Sequence, residues 1–241
     1  MANPPGAATV TREDRLPRRR RPRWSLVVLA LVILVPLGLA VLDRAALSYA
    51  QRTMASEIRN QGFPAEPKVT IKGFPFLTQV ASRHFGDVRL SSSDIRVGPL
   101  RISSLEVRAR DVTVDGWTFE SGTLGSLDGK AFVSFKDLAA AGGNPALELT
   151  ADGPNRVRAK VDLGITTANA VASVTKEGNS IRVRPVSIEG FGLEELTDTL
   201  DFTVPVGRLP LGLAFQGLTV SKDGIGLRVT GRKVRFTDPS R

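Results

Sequence analysis

The chain has no cysteine in its 241 residues and one histidine, His84. The first absence excludes disulfides, a lipid-modified cysteine, a thiolate metal site and a cysteine nucleophile. The second leaves any metal cluster to carboxylates alone, and a lone histidine reads as a surface or strand residue. No Gly-x-Ser-x-Gly elbow occurs, so the usual signature of an exported esterase is missing. Two fragments of phosphate and calcium motifs are incomplete. Gly129-Lys130 ends like a phosphate loop, but Leu124 stands where the first glycine belongs and Ala131 follows the lysine. Asp111-x-x-x-Asp115-Gly116 begins like a calcium loop. Thr113, however, takes the third position and Gly122 the twelfth, where a bidentate glutamate belongs. The adjacent pair Glu194-Glu195 reads as a solvated helix face. These residues supply no catalytic group, no metal site and no cofactor motif, although two carboxylates distant in sequence could still form a glycosidase pair.

Charge is also absent from one long stretch. Trp24 to Leu42 runs nineteen residues without an ionisable side chain, between an arginine cluster and Asp43-Arg44. As a helix rising about 1.5 Å per residue it covers roughly 28 Å, close to the ~30 Å hydrocarbon core of a bilayer. Pro36 and Gly38 would weaken a helix in water but are tolerated in lipid. Arg12, Arg15, Arg18, Arg19, Arg20, Arg21 and Arg23 precede it, against Glu13 and Asp14. The positive-inside rule then keeps residues 1–23 in the cytoplasm as a disordered Arg-rich arm, makes 24–42 a single-pass anchor, and exports 43–241. A cleaved signal peptide is the competing reading, with Ser48 and Ala50 at a plausible cleavage spacing. The apolar run is longer than the ~7–15 residues of a secretory core, and cutting there would sever a continuing helix.

The formal net charge is +9, but the arm holds seven of the 33 basic residues and two of the 24 acidic ones, which leaves +4 for the rest. A mildly basic exported domain suits anionic phospholipid headgroups or anionic envelope polymers. Nucleic acid is not an expected partner: the arm's place beside the span favours a topogenic role, or contact with lipids of the cytoplasmic leaflet.

From Asp43 to Gly62 a helical pattern continues, with Leu47, Ala50, Met54 and Ile58 on one narrow apolar face and Pro64 just beyond the end. From Lys68 the period changes to two. Val69 and Ile71, Val88 and Leu90, Leu105 to Ala109, Val157 to Val161 and Ile225 to Val229 each alternate with polar residues, as half-buried strands do. Asp115-Gly116, Asp128-Gly129, Asp152-Gly153, Glu177-Gly178 and Asp223-Gly224 read as turns, and Thr219–Arg228 as the clearest hairpin. One further short helix is expected from Gly192 to Leu200, with Leu193, Leu196 and Leu200 on one face. The fold class is α+β: a long amphipathic helix, continuing from the membrane span, packed on a large, curved antiparallel sheet. The sheet must close into a barrel-like wrap or fold around the helix, and the seam could hold acyl chains or be tightly packed.

The most distinctive local motif is Lys72-Gly-Phe-Pro-Phe-Leu-Thr-Gln79. Gly73 permits an unusual backbone angle, and Pro75 fixes its own while holding Phe74 extended. The kink displays Phe74 and Phe76 with Leu77 beside them, either as a plug at the end of the sheet or as an apolar rim meeting lipid. Lys68, Lys72, Arg83 and His84 lie near it in sequence, either as a solvated strand face or as contacts to a phosphate.

The helix Asp43-Arg-Ala-Ala…Tyr49-Ala50, the stretch Val69-x-Ile71-x-Gly-Phe-Pro-Phe-Leu-Thr-Gln79, the strand Gly86-Asp-Val88-x-Leu90 and the run Leu209-Pro-Leu-Gly-Leu213 resemble the actinobacterial LmeA-type phospholipid-binding proteins. The resemblance covers most of residues 43–236. It implies a fold like the tubular lipid-binding domains and a cell-envelope (periplasmic) protein that binds phospholipids, phosphatidylinositol-type lipids among them. In some members it also implies support for lipoglycan synthesis. Gly73, Phe74, Pro75, Phe76 and Leu77 carry over from the family motif; no catalytic residue does. The resulting expectation is a membrane-anchored, exported, non-catalytic lipid-binding domain whose site comprises these five residues with Lys72 and Arg83. The alternatives are an envelope interaction scaffold without a lipid cavity and an enzyme of envelope glycolipids.

Overall fold

The computed structural model describes residues 23–60, 66–116, 121–162, 167–188, 200–206 and 214–237. The element order is α1 (Arg23–Asn60), β1 (Lys68–Lys72), α2 (Phe76–Ser82), β2 (His84–Val97), β3 (Leu100–Val114), β4 (Ser121–Ser134), α3 (Phe135–Ala141), β5 (Glu148–Ala151), β6 (Arg156–Asp162), β7 (Thr167–Glu177), β8 (Ser180–Ile188), β9 (Phe202–Pro205), β10 (Ala214–Ser221) and β11 (Gly224–Thr237). The class is α+β, as expected. The strands divide between two antiparallel sheets, ordered β1-β2-β3-β4-β11-β10 and β5-β6-β7-β8-β9. Periodicity could not foretell that division, because strands of both sheets alternate in the same way.

By compactness the chain forms two units, Met1–Val41 and Leu42–Arg241. In the first, the described residues are helical from Arg23, with Pro36 inside the helix. The large apolar side chains from Trp24 to Leu42 are all exposed. Among the described residues α1 is the one helix long and apolar enough, by length and composition, to cross a membrane. A helix apolar all round requires cover, and none of the described residues supplies it.

In the second unit the rest of α1 is amphipathic. Ala46, Leu47, Ala50, Met54, Ala55 and Ile58 pack on Val69, Ile71, Phe85, Val112, Leu124, Leu127 and Val234 of the six-stranded sheet. The stripe read from the sequence is therefore the contacting face. The opposite ends of the same long strands belong to another core. Ile95, Leu100, Ile102, Val133, Ile225 and Leu227 pack with α3 and with Val157, Ala172, Val174, Ile181, Val183 and Val204 of the five-stranded sheet. Strands of fourteen and fifteen residues, roughly 46–50 Å long, reach both.

The in–out alternation does not run unbroken along these strands. Pairing steps from Phe85↔Val112 to Asp87↔Arg110, from Val112↔Leu124 to Arg110↔Ser126, and from Leu124↔Val234 to Ser126↔Arg232. Gly86, Asp111, Gly125 and Lys233 thus fall outside the ladder on one line across four strands, and Asp111 and Lys233 have φ of 54° and 49°. One unpaired residue per strand shifts the period by one. Val112 and Val114 are buried on one side of the line, and Ala109 continues the buried set on the other. Breaks in a ladder of this kind let strands bend and twist locally.

Several local expectations are corrected. Asp128-Gly129 is not a turn but lies within β4, where a Cβ on Gly129 would come 2.4 Å from Val229 Cγ2. This glycine serves close packing. The turns at Asp152-Gly153 and Glu177-Gly178 are present, with φ of 111° and 59° at the glycines, and β10–β11 is the hairpin expected. Two short helices, α2 and α3, were not foreseen. The Ser134 hydroxyl caps α3 by accepting the Asp137 N–H at 3.1 Å. Ser134-x-x-Asp137 is the sequence signature of this start. The expected helix from Gly192 lies outside the described residues except Leu200, which is buried. The run Leu209–Leu213 and the arm up to residue 22 also lie outside them.

Candidate functional site

The motif following β1 forms a corner joining β1, α2 and the start of β2. Gly73 has φ 107°, and a Cβ there would lie 2.7 Å from Gln79 Nε2, so glycine is required by backbone and by space. Pro75 occupies the N-cap of α2 and offers no side-chain cap. The missing acceptor comes from α1: Asp43 Oδ1 accepts the Leu77 N–H at 2.8 Å. Asp43 is buried, and its Oδ2 has no hydrogen-bond partner among the described residues. A carboxylate on a first-turn N–H replaces the usual Ser or Asp cap and binds the corner to α1. The Arg44 guanidinium lies over the Phe74 ring at 4.9 Å from its centroid, a second contact between the same two segments.

The two phenylalanines of the motif part company. Phe76 is 3% exposed and packs against Phe85, with ring centroids 6.3 Å apart. It is a core plug, so its display on a rim is corrected. Phe74 is 62% and Leu77 43% exposed, and these two form the apolar surface of the corner. The alternation of the motif explains the split: once helix α2 starts at Phe76, that side chain turns toward the sheet while Leu77, one residue on, turns away.

Beside the corner lies an open groove of about 430 Å³, lined by Lys72, Gly73, Phe74 and Pro75, by Thr78, Gln79 and Ser82 of α2, and by His84, Gly86 and Asp87 of β2. Of the residues singled out from sequence, the structure brings Lys72, Gly73, Phe74 and Pro75 together there. Arg83 does not line it. It caps the C-terminus of α2 in the left-handed region, at φ 55°, and its guanidinium donates to the Asp115 carbonyl at 3.3 Å. The polar α2 residues were missed because the helix was missed: positions 78, 79 and 82 share a face only at helical spacing.

One charge cluster adjoins the groove. Asp87 accepts from Arg89 at 3.1 Å and from Arg108 at 2.6 Å. These hydrogen bonds, that from Arg89 first, hold the Asp87 carboxyl down at about 2 against the opposing cost of its burial. Arg89 and Arg108 are directly paired across the ladder, and Asp87 bridges them. The next cross-strand row reads Lys72↔Asp87↔Arg110↔Ser126↔Arg232, so three cations share it with one carboxylate already engaged. His84 Nδ1 is 3.4 Å from the Thr113 hydroxyl. Among the described residues no three His, Asp or Glu side chains converge to hold a metal ion. The groove presents hydroxyls, an amide, an ammonium, the His84 imidazole, the engaged Asp87 carboxylate and an apolar lip.

A family described as LmeA-like phospholipid-binding matches residues 41–230, most of the chain. No curated protein and no solved structure matches it.

Proposed function

The chain belongs to the LmeA-like phospholipid-binding family, and from that premise we propose that the groove beside the Gly-Phe-Pro-Phe corner is where it holds a phospholipid. The observation that carries this reading is the groove itself. It is shallow and open, about 430 Å³, and so offers a seat at the surface for part of a ligand rather than an enclosed pocket. That size suits the headgroup and glycerol end of one lipid, with the acyl chains meeting Phe74, Pro75 and Leu77. Lys72 supplies the charge for a lipid phosphate, phosphatidylinositol-type headgroups included, and Thr78, Gln79, Ser82 and His84 supply hydrogen bonds. The protein acts as a single-pass membrane protein with its arm in the cytoplasm and residues 43–241 in the extracytoplasmic space. There it binds lipid without chemistry and supports lipid or lipoglycan homeostasis of the envelope.

The test is native mass spectrometry of the full chain released from membranes, with the bound lipid identified. The parent should retain a phospholipid. Lys72→Glu should lose anionic lipids severalfold more than neutral ones, Lys72→Arg should restore them, and Phe74→Asp should lose both classes. A parent that carries no phospholipid, or variants that carry as much as the parent, overturns the reading and leaves an interaction scaffold.

A further inference from the structure

We infer that the corner is a wedge seated in the headgroup layer of an anionic phospholipid leaflet, the same leaflet in which the apolar run ends. Lipid would then be engaged without leaving its membrane. The inference rests on the phospholipid-binding reading and adds where the site works. Its first support is a distance. Asp43 is the residue immediately after the apolar run, and its carboxylate touches the Leu77 N–H at 2.8 Å. Arg44, the next residue, holds its guanidinium 4.9 Å from the Phe74 ring. Phe74 and Leu77 are thus held by the side chains of the two residues that directly follow Leu42, where the apolar run ends.

The second support is composition. Phe74 and Leu77 stay exposed while their neighbour Phe76 is in the core. Among the described residues nothing apolar covers them. Around this lip stand Arg44 and Lys72, and Lys72 begins the cross-strand row that continues to Arg110 and Arg232. Asp87, the carboxylate of that row, is already engaged by Arg89 and Arg108. No carboxylate pairs with Lys72, Arg110 or Arg232 among the described residues. An apolar tip flanked by Arg44 and Lys72, with further cations across the sheet, complements an anionic leaflet better than a neutral one. The third support is rigidity. A flexible loop would lose its contacts on insertion, but this one is fixed from below by Phe76 and from the side by Asp43.

The cysteine-free chain allows a direct test by nitroxide labelling of single cysteines in the full protein, reconstituted in phosphatidylcholine vesicles with and without phosphatidylglycerol. Leu77→Cys leaves the backbone N–H that Asp43 accepts. Val186→Cys, at an exposed apolar position on β8, reports a surface to which the inference assigns no lipid. With phosphatidylglycerol present, the Leu77 nitroxide should collide severalfold more with oxygen, relative to an aqueous nickel chelate, than the Val186 nitroxide. Adding Lys72→Glu and Arg110→Glu should reduce that difference. Equal access of nickel to both labels overturns the wedge, as does a Leu77 label shielded from oxygen and nickel alike, which would place it against protein. Mass spectrometry of bound lipid on the same samples separates the two ideas. A wet Leu77 label on a lipid-loaded protein refutes the wedge alone, and an oxygen-accessible, nickel-excluded label on a protein that carries no bound lipid refutes the groove alone.

Discussion

Phe74→Asp and Phe76→Asp, two residues apart, should have opposite consequences. Phe74 is exposed, so its carboxylate variant should melt within a few degrees of the parent while losing lipid. Phe76 is buried on Phe85, so its variant buries an unpaired charge at a cost of several kcal/mol and should unfold or nearly so. Circular dichroism melts decide it, and similar melting of the two variants would contradict the split. Asp87 gives a pH prediction. Its folded pKa, about 2, lies below its ordinary value near 3.8, so its contribution to stability is complete above about pH 4 and lost as pH falls through about 2. With both arginines nearly half exposed, screening limits that contribution to on the order of 1 kcal/mol. Asp87→Asn should destabilise the protein at pH 7, because Arg89 and Arg108 then face each other unbridged. Its stability should fall less steeply than the parent's below pH 4 in denaturant titrations. At this scale the motif was legible in sequence but its inward and outward members were not, since which phenylalanine turns in depends on where α2 begins.

The amphipathic part of α1 and the curled sheet depend on each other. Ala55 is the most buried apolar residue of the helix face and packs in the cluster that joins the helix to the strands of the sheet. Ala55→Glu should lift the helix from the sheet and cost several kcal/mol, visible as a lower melting temperature and as protease cleavage within residues 43–60. An unchanged melt would mean that the helix is not integral to the sheet's core. The helix face was readable from its spacing at Leu47, Ala50, Met54 and Ile58. The transverse line of Gly86, Asp111, Gly125 and Lys233 was not. A single unpaired residue in a strand leaves no mark in a pattern scanned over a few residues, yet it resets the alternation and lets the strand bend and twist locally.

For the whole molecule the first question is topology. A reporter fused after Arg241 should be active only outside the cytoplasm, and the protein should stay with membranes after an alkaline wash. Reporter activity in the cytoplasm would overturn the orientation, and an exported domain free in the medium would establish cleavage in place of an anchor. Asp43 and Arg44 tie the corner to the end of the apolar run, so the proposed lipid site and the proposed anchor stand or fall on neighbouring residues.

By itself the sequence determined what depends on local pattern: an uncharged run of bilayer length, a helix with one apolar stripe, strands of period two, and a Gly-Phe-Pro-Phe corner specific enough to indicate the family. It also determined which chemistries lack their residues. Only the tertiary structure decided how the strands divide between two sheets, which phenylalanine is plug and which is surface, and that Lys72 rather than Arg83 meets the groove. It alone brought Asp43 to Leu77 across 34 residues of chain. The reason is physical: periodicity says that a face must be buried, and only the packed fold says against what.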